Sequence, residues 1–423
     1  MFVTLFQKEC KQILKSFTYY LFIVLLVLFF NSQLSDFTMI HKPVEGSKNY
    51  GTTYSKDKDF IMQQTTNLLV TDYLSNDYIA YPIGFYKDVK LNKRKQEKIA
   101  NILEEITGWK DKELRKQVKD NSEIIYVTNN NKNNVKKRIQ LKSNYNIPIL
   151  DTINYHKFIK RMGKVDKIIG GGSSYAPDGI YHNAEKPLTY KEALDEYNDI
   201  LYKDHVTNAY ARIFCDYIGI MLAILPIFLA VTRGLRDKRA KAHDVIFVTQ
   251  SSSTIIILSR YLATVVMAVL PVILLGFVEA LQTNYYANSL GVSPDYFAYP
   301  KLIGYWLLPI ILVVTALGFF LTELTNSAIG ILVQGCWWFI SIFSSMNKLV
   351  GSAGRNLVPR FNTVGEHDEF IKMYPELIVN RIGYSILALL LVIATIIVYQ
   401  YKRKGMLASD RTLLSNWKNK RKA

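Results

Sequence analysis

Apolar residues are segregated along this chain rather than spread through it. Runs at 17–30, 211–231, 262–281, 302–321, 328–343 and 382–399 are nearly free of charge. Each approaches the ~20 residues a helix needs to cross a bilayer core. The pattern predicts a membrane all-α bundle of about six transmembrane helices. Ahead of the first run, Phe2, Leu5, Phe6, Ile13 and Leu14 recur at helical spacing, with Lys8, Glu9, Lys11 and Lys15 opposite. Residues 1–15 therefore read as an amphipathic helix lying in the membrane interface. The first span, 16–30, has no small-residue cleavage site after it and is expected to be retained. Tyr19 and Tyr20 extend it as interfacial anchors.

Between the first two spans the pattern changes. Residues 31–208 are polar and mixed, long enough to fold by themselves, and are expected to form a mixed α/β extracellular domain. A helix is predicted over 92–106, with Ile99, Ile102, Leu103 and Ile106 on one face. Strands are predicted at 123–128 and 146–150. The Gly-Gly-Gly-Ser-Ser run at 170–174 and Pro177-Asp178-Gly179 read as turns. Thr189 and Glu192 have capping-box spacing. The helix they start is expected to run through Leu194, Tyr197 and Leu201 directly into the second span.

Charge changes the picture by giving direction. The 423 residues carry a net charge of +17, and much of the excess sits beside the spans. Lys8, Lys11 and Lys15 precede the first, and Arg233, Arg236, Lys238, Arg239 and Lys241 follow the second. Lys402, Arg403 and Lys404 follow the sixth and open a basic tail, 402–423, which ends in Lys418, Lys420, Arg421 and Lys422. With six spans all these clusters fall on one side, which the positive-inside rule makes the cytoplasm. Both termini are then cytoplasmic and the polar domain is outside. No nucleic-acid-binding motif accompanies the charge, so nucleic acid is not an expected partner. Cys10, Cys215 and Cys336 lie in or beside apolar runs, so the polar domain has no disulfide available. Absence of an N-glycosylation sequon, with heavy use of Lys, Asn, Ile and Tyr, leads us to expect the cell membrane of a bacterium with a Gram-positive type of envelope.

Chemistry-bearing motifs are few. There is no phosphate-binding G-x-x-x-x-G-K-[ST] loop, so any ATP hydrolysis is expected elsewhere. The histidines lack metal-ligand spacing, and no G-x-S-x-G elbow occurs. No catalytic residue, metal site or bound cofactor is expected on this chain. Inside the spans, Asp216 lies one turn after Arg212, which predicts a local ion pair. Gln334, followed by Trp337 and Trp338, and Asp216 itself are candidates for a translocation path or for joining helices.

The most specific stretch is 233–254, within the membrane region 209–401. A charged run, Arg233 to Lys241, leads into a short amphipathic helix and the polar turn Gln250-Ser251-Ser252, then returns through Arg260-Tyr261. A rigid helix there would transmit force to both flanking spans. Val245, Ile246 and Phe247 would form its apolar plug, and Arg239, His243 and Asp244 its polar rim. This loop resembles the cytoplasmic coupling loop of ABC-2 type permeases. The turn 321–328 and the overall layout are similar to that family too. Lys241-Ala242 and Gln250-Ser251 stand where the family usually has Gly-Thr and Thr-Pro. The resemblance implies the permease subunit of a bacterial ABC exporter, docked on a cytoplasmic ABC ATPase dimer that holds ATP and Mg. It also implies a second permease chain, identical or different, a surrounding membrane lipid phase, and an exported peptide, drug or lipid-like cargo. A membrane-anchored receptor or sensor, binding a ligand through the outer domain, is the alternative.

Overall fold

The structure, a computed structural model, describes residues 1–34, 39–82, 86–128, 135–142, 145–177, 179–240, 246–247, 250–345, 350–351 and 353–406. The chain divides into two compact units, Pro43–Ala193 and the remainder.

The larger unit is helical. Helices α1 (Phe2–Leu14) and α2 (Phe17–Leu34) come from its N-terminal part. Helices α8 (Thr207–Leu222), α9 (Pro226–Arg239), α10 (Ser253–Ser289), α11 (Ala298–Thr325), α12 (Ile329–Ser345) and α13 (His367–Arg403) come from the rest. Among the described residues five helical stretches are long and apolar enough to cross a membrane: α2, α8 with α9, α10, α11 and α13. Within the described residues the stretch expected as the fifth of six spans, α12, covers 17 residues, about 26 Å at helical rise against a ~30 Å core.

Helix α2 illustrates the sorting. Tyr19, Phe22, Leu26 and Phe30 are buried, whereas Phe17, Tyr20, Leu21, Val24 and Leu28 form an exposed stripe. An apolar stripe left exposed is stable against lipid, where burial against protein gains little hydrophobic energy. The centre of the bundle is α11, with Trp306, Leu307, Ile310, Ile311 and Val314 fully buried. Gly318 lets α9 approach closely. A Cβ there would lie 2.6 Å from the Ala230 methyl.

After α12 the described chain does not leave the bundle. Ala353, Leu357, Val358, Arg360 and Phe361 are buried without being helical. Such backbone survives beside apolar helices only if protein groups satisfy it. Asn380 donates to the carbonyls of Gly354 and Asn356, Arg381 to that of Leu357, and Tyr384 to that of Arg355. All three donors stand on α13.

The smaller unit contains α3 (Lys58–Ser75), α4 (Lys93–Thr107), α5 (Asp111–Asp120) and α6 (Tyr155–Ile169). Three antiparallel ribbons accompany them: β1 (Thr52–Tyr54) with β6 (Glu185–Pro187), β2 (Tyr78–Ala80) with β3 (Lys87–Val89), and β4 (Ser122–Thr128) with β5 (Val135–Leu141). Their registers set Thr52 opposite Pro187, Tyr78 opposite Val89 and Ser122 opposite Leu141. The core joins Leu69 and Val70 of α3 to Ile99 and Leu103 of α4 and to Phe158 and Met162 of α6. Asn92 caps α4 by accepting from the Lys95 N–H, and Gly108 at φ +77° ends it. Tyr175 donates to Asp72 at 2.6 Å, and its burial, aided by that carboxylate, holds the phenol pKa well above the usual value.

Two sequence expectations are corrected. Residues 146–150 form no strand: the Ile147 N–H donates to Asn67 Oδ1, and Gln63 donates to the Ile147 carbonyl, so α3 side chains replace a partner strand. The capping box does form, with Thr189 Oγ1 accepting from the Glu192 N–H and Glu192 Oε2 from the Thr189 N–H. However, the helix it starts, α7 (Tyr190–Asn198), does not continue into the second span. A π turn at Asp199–Lys203 and left-handed His205 and Val206 intervene. Asp204 at this break is buried and serves two partners described below. Of the two expected turns, Gly170, Gly171 and Gly172 have positive φ, and Asp178 lies outside the described residues.

Candidate functional site

At one end of the bundle, charged side chains tie the helices together. Glu9 of α1 accepts from Arg233 of α9 at 2.5 and 2.6 Å. Arg233 also reaches Asp237 at 3.2 Å, and Asp237 accepts from Arg260 of α10 at 2.5 Å. The Arg260 guanidinium lies 5.8 Å from the centre of the Tyr399 ring on α13, within cation–π range. The side chains of Arg233 and Arg260 are 6% and 9% exposed. These are therefore interior pairs, in which breaking one partner is costly.

The segment between α9 and α10 joins this network. The Phe247 ring meets Tyr399 edge-on at 5.4 Å. Arg403 donates to the Phe247 carbonyl at 2.7 Å and to that of Ser251 at 2.6 Å. Ile246 packs with Phe247 against Ile256, Ile257 and Tyr399. The neighbouring turn is fastened too: Lys402 donates to the Glu323 carbonyl, to Glu323 Oε1 at 3.1 Å and to Asn326 Oδ1 at 2.7 Å. The foot of α13 thus holds both the segment between α9 and α10 and the turn between α11 and α12.

At the other end, Arg212 and Asp216 do not pair with each other, contrary to the sequence expectation. Their i, i+4 spacing is overridden by better partners. Arg212 makes a bidentate bond to Asp204, 2.6 Å on each arm, and His367 Nδ1 lies 2.7 Å from the same carboxylate. Asp216 accepts two bonds from Arg360 at 2.9 Å and one from the Phe361 N–H at 2.7 Å. Asp216 is completely buried, about 14 Å along α8 from its start at helical rise. It pins the irregular segment after α12 to α8.

Gln334 and Trp338 have a local backbone task. Pro226 opens α9, and on either side of it the Ile224 N–H bonds to the Met221 carbonyl and the Ile227 N–H to that of Ile224. The carbonyls of Ile220 and Ala223 thereby lose their usual i+4 donors. Trp338 Nε1 donates to Ile220 at 2.9 Å and Gln334 Nε2 to Ala223 at 2.5 Å. Trp337 instead packs on Tyr384. The four residues singled out inside the spans thus do not converge: Asp216 serves the return segment, Gln334 and Trp338 the helix break, and Trp337 a ring pair.

Of the loop residues, Arg239 is exposed at the end of α9, and Ile246 and Phe247 are half-buried within this chain. His243, Asp244 and Val245 lie outside the described residues, as do Lys241 and the tail residues 418–422. Sequence reasoning placed Glu9 on the polar face of α1, yet it is buried. Leu5, Glu9 and Ile13 are four residues apart, so Glu9 shares the apolar stripe, and that spacing was its signal. Arg260 and Tyr399 were visible only as a charge near the start of a span and an aromatic near the end of one. Among the described residues no cluster of His, Cys, Asp and Glu is arranged to hold a metal.

Long apolar helices joined by buried ion pairs define a multi-pass helical membrane protein. The family model of ABC-2 family transporter proteins matches residues 15–347, most of the chain, so the chain belongs to that family and is an ABC-2 type permease. No curated protein and no solved structure matches it.

Proposed function

We propose that this permease is the membrane subunit of an exporter whose ATP hydrolysis, with its Mg, occurs on a separate cytoplasmic ATPase dimer. In this reading the Glu9–Arg233–Asp237–Arg260 end faces the cytoplasm, with both termini. The unit 43–193 is outside, α12 is a sixth span, and a second permease chain completes the path. Segment 233–254 is the coupling element, and Arg239 with residues 243–247 meets the ATPase. The cargo belongs to the peptide, drug or lipid-like class that the family resemblance implies.

What carries this reading is the grip of Arg403 and Tyr399 on Phe247 and Ser251. A displacement of Phe247 moves the foot of α13 directly. Through Arg260 and Asp237 it reaches α10 and α9. An element with such fastening transmits load, whereas a connector that only fixes topology has no need of it.

The test uses the complex of tagged permease and copurifying ATPase in lipid nanodiscs. Tyr399→Ala with Arg403→Ala is expected to leave assembly intact and to lower permease-dependent ATP turnover about tenfold, the equivalent of ~1.4 kcal/mol. An assembled complex with unchanged turnover would remove the coupling role.

A further inference from the structure

A crevice of about 470 Å³ lies between the end of α1 and α9. Lys15, Ser16, Thr232, Arg236 and Arg239 line it, and Ile13 and Leu229 also contribute. No acidic side chain is among its described lining residues. Arg233 also borders it, but its charge is matched by Glu9 and Asp237. Lys15, Arg236 and Arg239 have no ion-pair partner among the described residues. Three unmatched cations around a cavity with two hydroxyl side chains suit a phosphate, which guanidinium groups bind bidentately.

The surroundings distinguish a lipid from a soluble phosphate. Ser16 leads straight into α2, whose Phe17, Tyr20, Leu21, Val24 and Leu28 form the exposed apolar stripe described above. Phe17 is 80% exposed. An amphiphile with its phosphate at Lys15 would have its acyl chains against this stripe, so one molecule would satisfy both the cationic crevice and the bare helix face.

We propose that the crevice between α1 and α9 is a binding site for the headgroup of an anionic phospholipid, with Lys15, Arg236 and Arg239 around the phosphate and the acyl chains along α2. The inference uses only the membrane location of the chain and does not rest on the ATPase reading.

The experiment is native mass spectrometry of the full chain in nonionic detergent, titrated with phosphatidylglycerol, phosphatidylcholine or glycerol 3-phosphate. Wild type should bind phosphatidylglycerol at least about tenfold more tightly than phosphatidylcholine. Lys15→Gln/Arg236→Gln/Arg239→Gln should lose about a hundredfold of that affinity, since each juxtamembrane cation acts on an anionic headgroup. Lys8→Gln/Lys11→Gln/Lys404→Gln removes equal charge outside the crevice and should lose less than about threefold. If the crevice triple fails to fold, the exposed Arg239→Gln alone serves, with an expected loss of about fivefold. Equal binding of the two lipids would overturn the proposal, as would equal losses in the two triples. Glycerol 3-phosphate binding as tightly as the lipid would assign the crevice to a soluble phosphate and overturn it as well.

Discussion

The two units differ in whether they bury ion pairs: the helical unit has exposed pairs such as Lys301–Asp295, but buried ones as well. In the helical unit Arg212–Asp204, Arg360–Asp216 and Arg233–Glu9 are almost wholly buried. In the smaller unit Arg115–Asp111 and Lys186–Glu192 remain about 35% to 51% exposed. Residues 43–193 fold on an apolar core, to which surface pairs add little. Surrounded by lipid, apolar faces have almost no preference for one another, and polar contacts decide which segments meet. A charge inside a span therefore tells where a partner must be found, and the partner need not be its neighbour in sequence.

The comparison is tested most severely at Asp216. Asp216→Ala leaves Arg360 buried and unpaired, with an expected loss of ~3–5 kcal/mol, read by thermal unfolding in detergent. Asp216→Leu with Arg360→Met should recover most of it. A single variant as stable as wild type would mean the pair holds nothing. Next comes Glu9→Gln, which leaves Arg233 with Asp237 alone. Losing a charge-assisted bond is expected to cost ~2 kcal/mol in the same assay. A loss under a few tenths would place Glu9 among the exposed pairs.

The smallest effect belongs to the smaller unit. Thr189→Ala removes a helix cap and should cost ~1 kcal/mol. Glu192 is held down to about pKa 2, first by its bond from Lys186 and then by the Thr189 N–H. A depressed carboxyl stabilises above its ordinary range, and that contribution fades as pH falls from the ordinary range toward 2. Carbon-detected NMR titration of Glu192 should therefore give a midpoint near 2, and Lys186→Met should move it upward. A midpoint in the ordinary carboxylate range would show that the Lys186 contact is not kept in solution.

Much of the layout was legible in the sequence because its signals are local. The apolar runs, the α4 stripe of Ile99, Ile102, Leu103 and Ile106, and the Thr189–Glu192 box each depend on residues a few positions apart. What was hidden depends on long-range partners. Arg212 and Asp216 offered a plausible short-range pair, but their partners are Asp204, across the break before α8, and Arg360, beyond α12. The Ile147 segment had the composition of a strand, yet its hydrogen bonds come from Gln63 and Asn67. Phe247 read as a plug for another subunit, and only the folded chain brings Tyr399 beneath it.

The missing backbone bonds at Ile220 and Ala223 give the second membrane crossing a joint. An intact helix resists bending along its whole length, whereas here stiffness is interrupted where two side chains of α12 stand in for the ladder. Rotation of α9 about this point would stretch those two substitute bonds and shear its close contact with α11 at Gly318. The two pieces of this crossing are thus anchored separately, α8 through Asp216 and Arg360, α9 through Arg233 and Glu9.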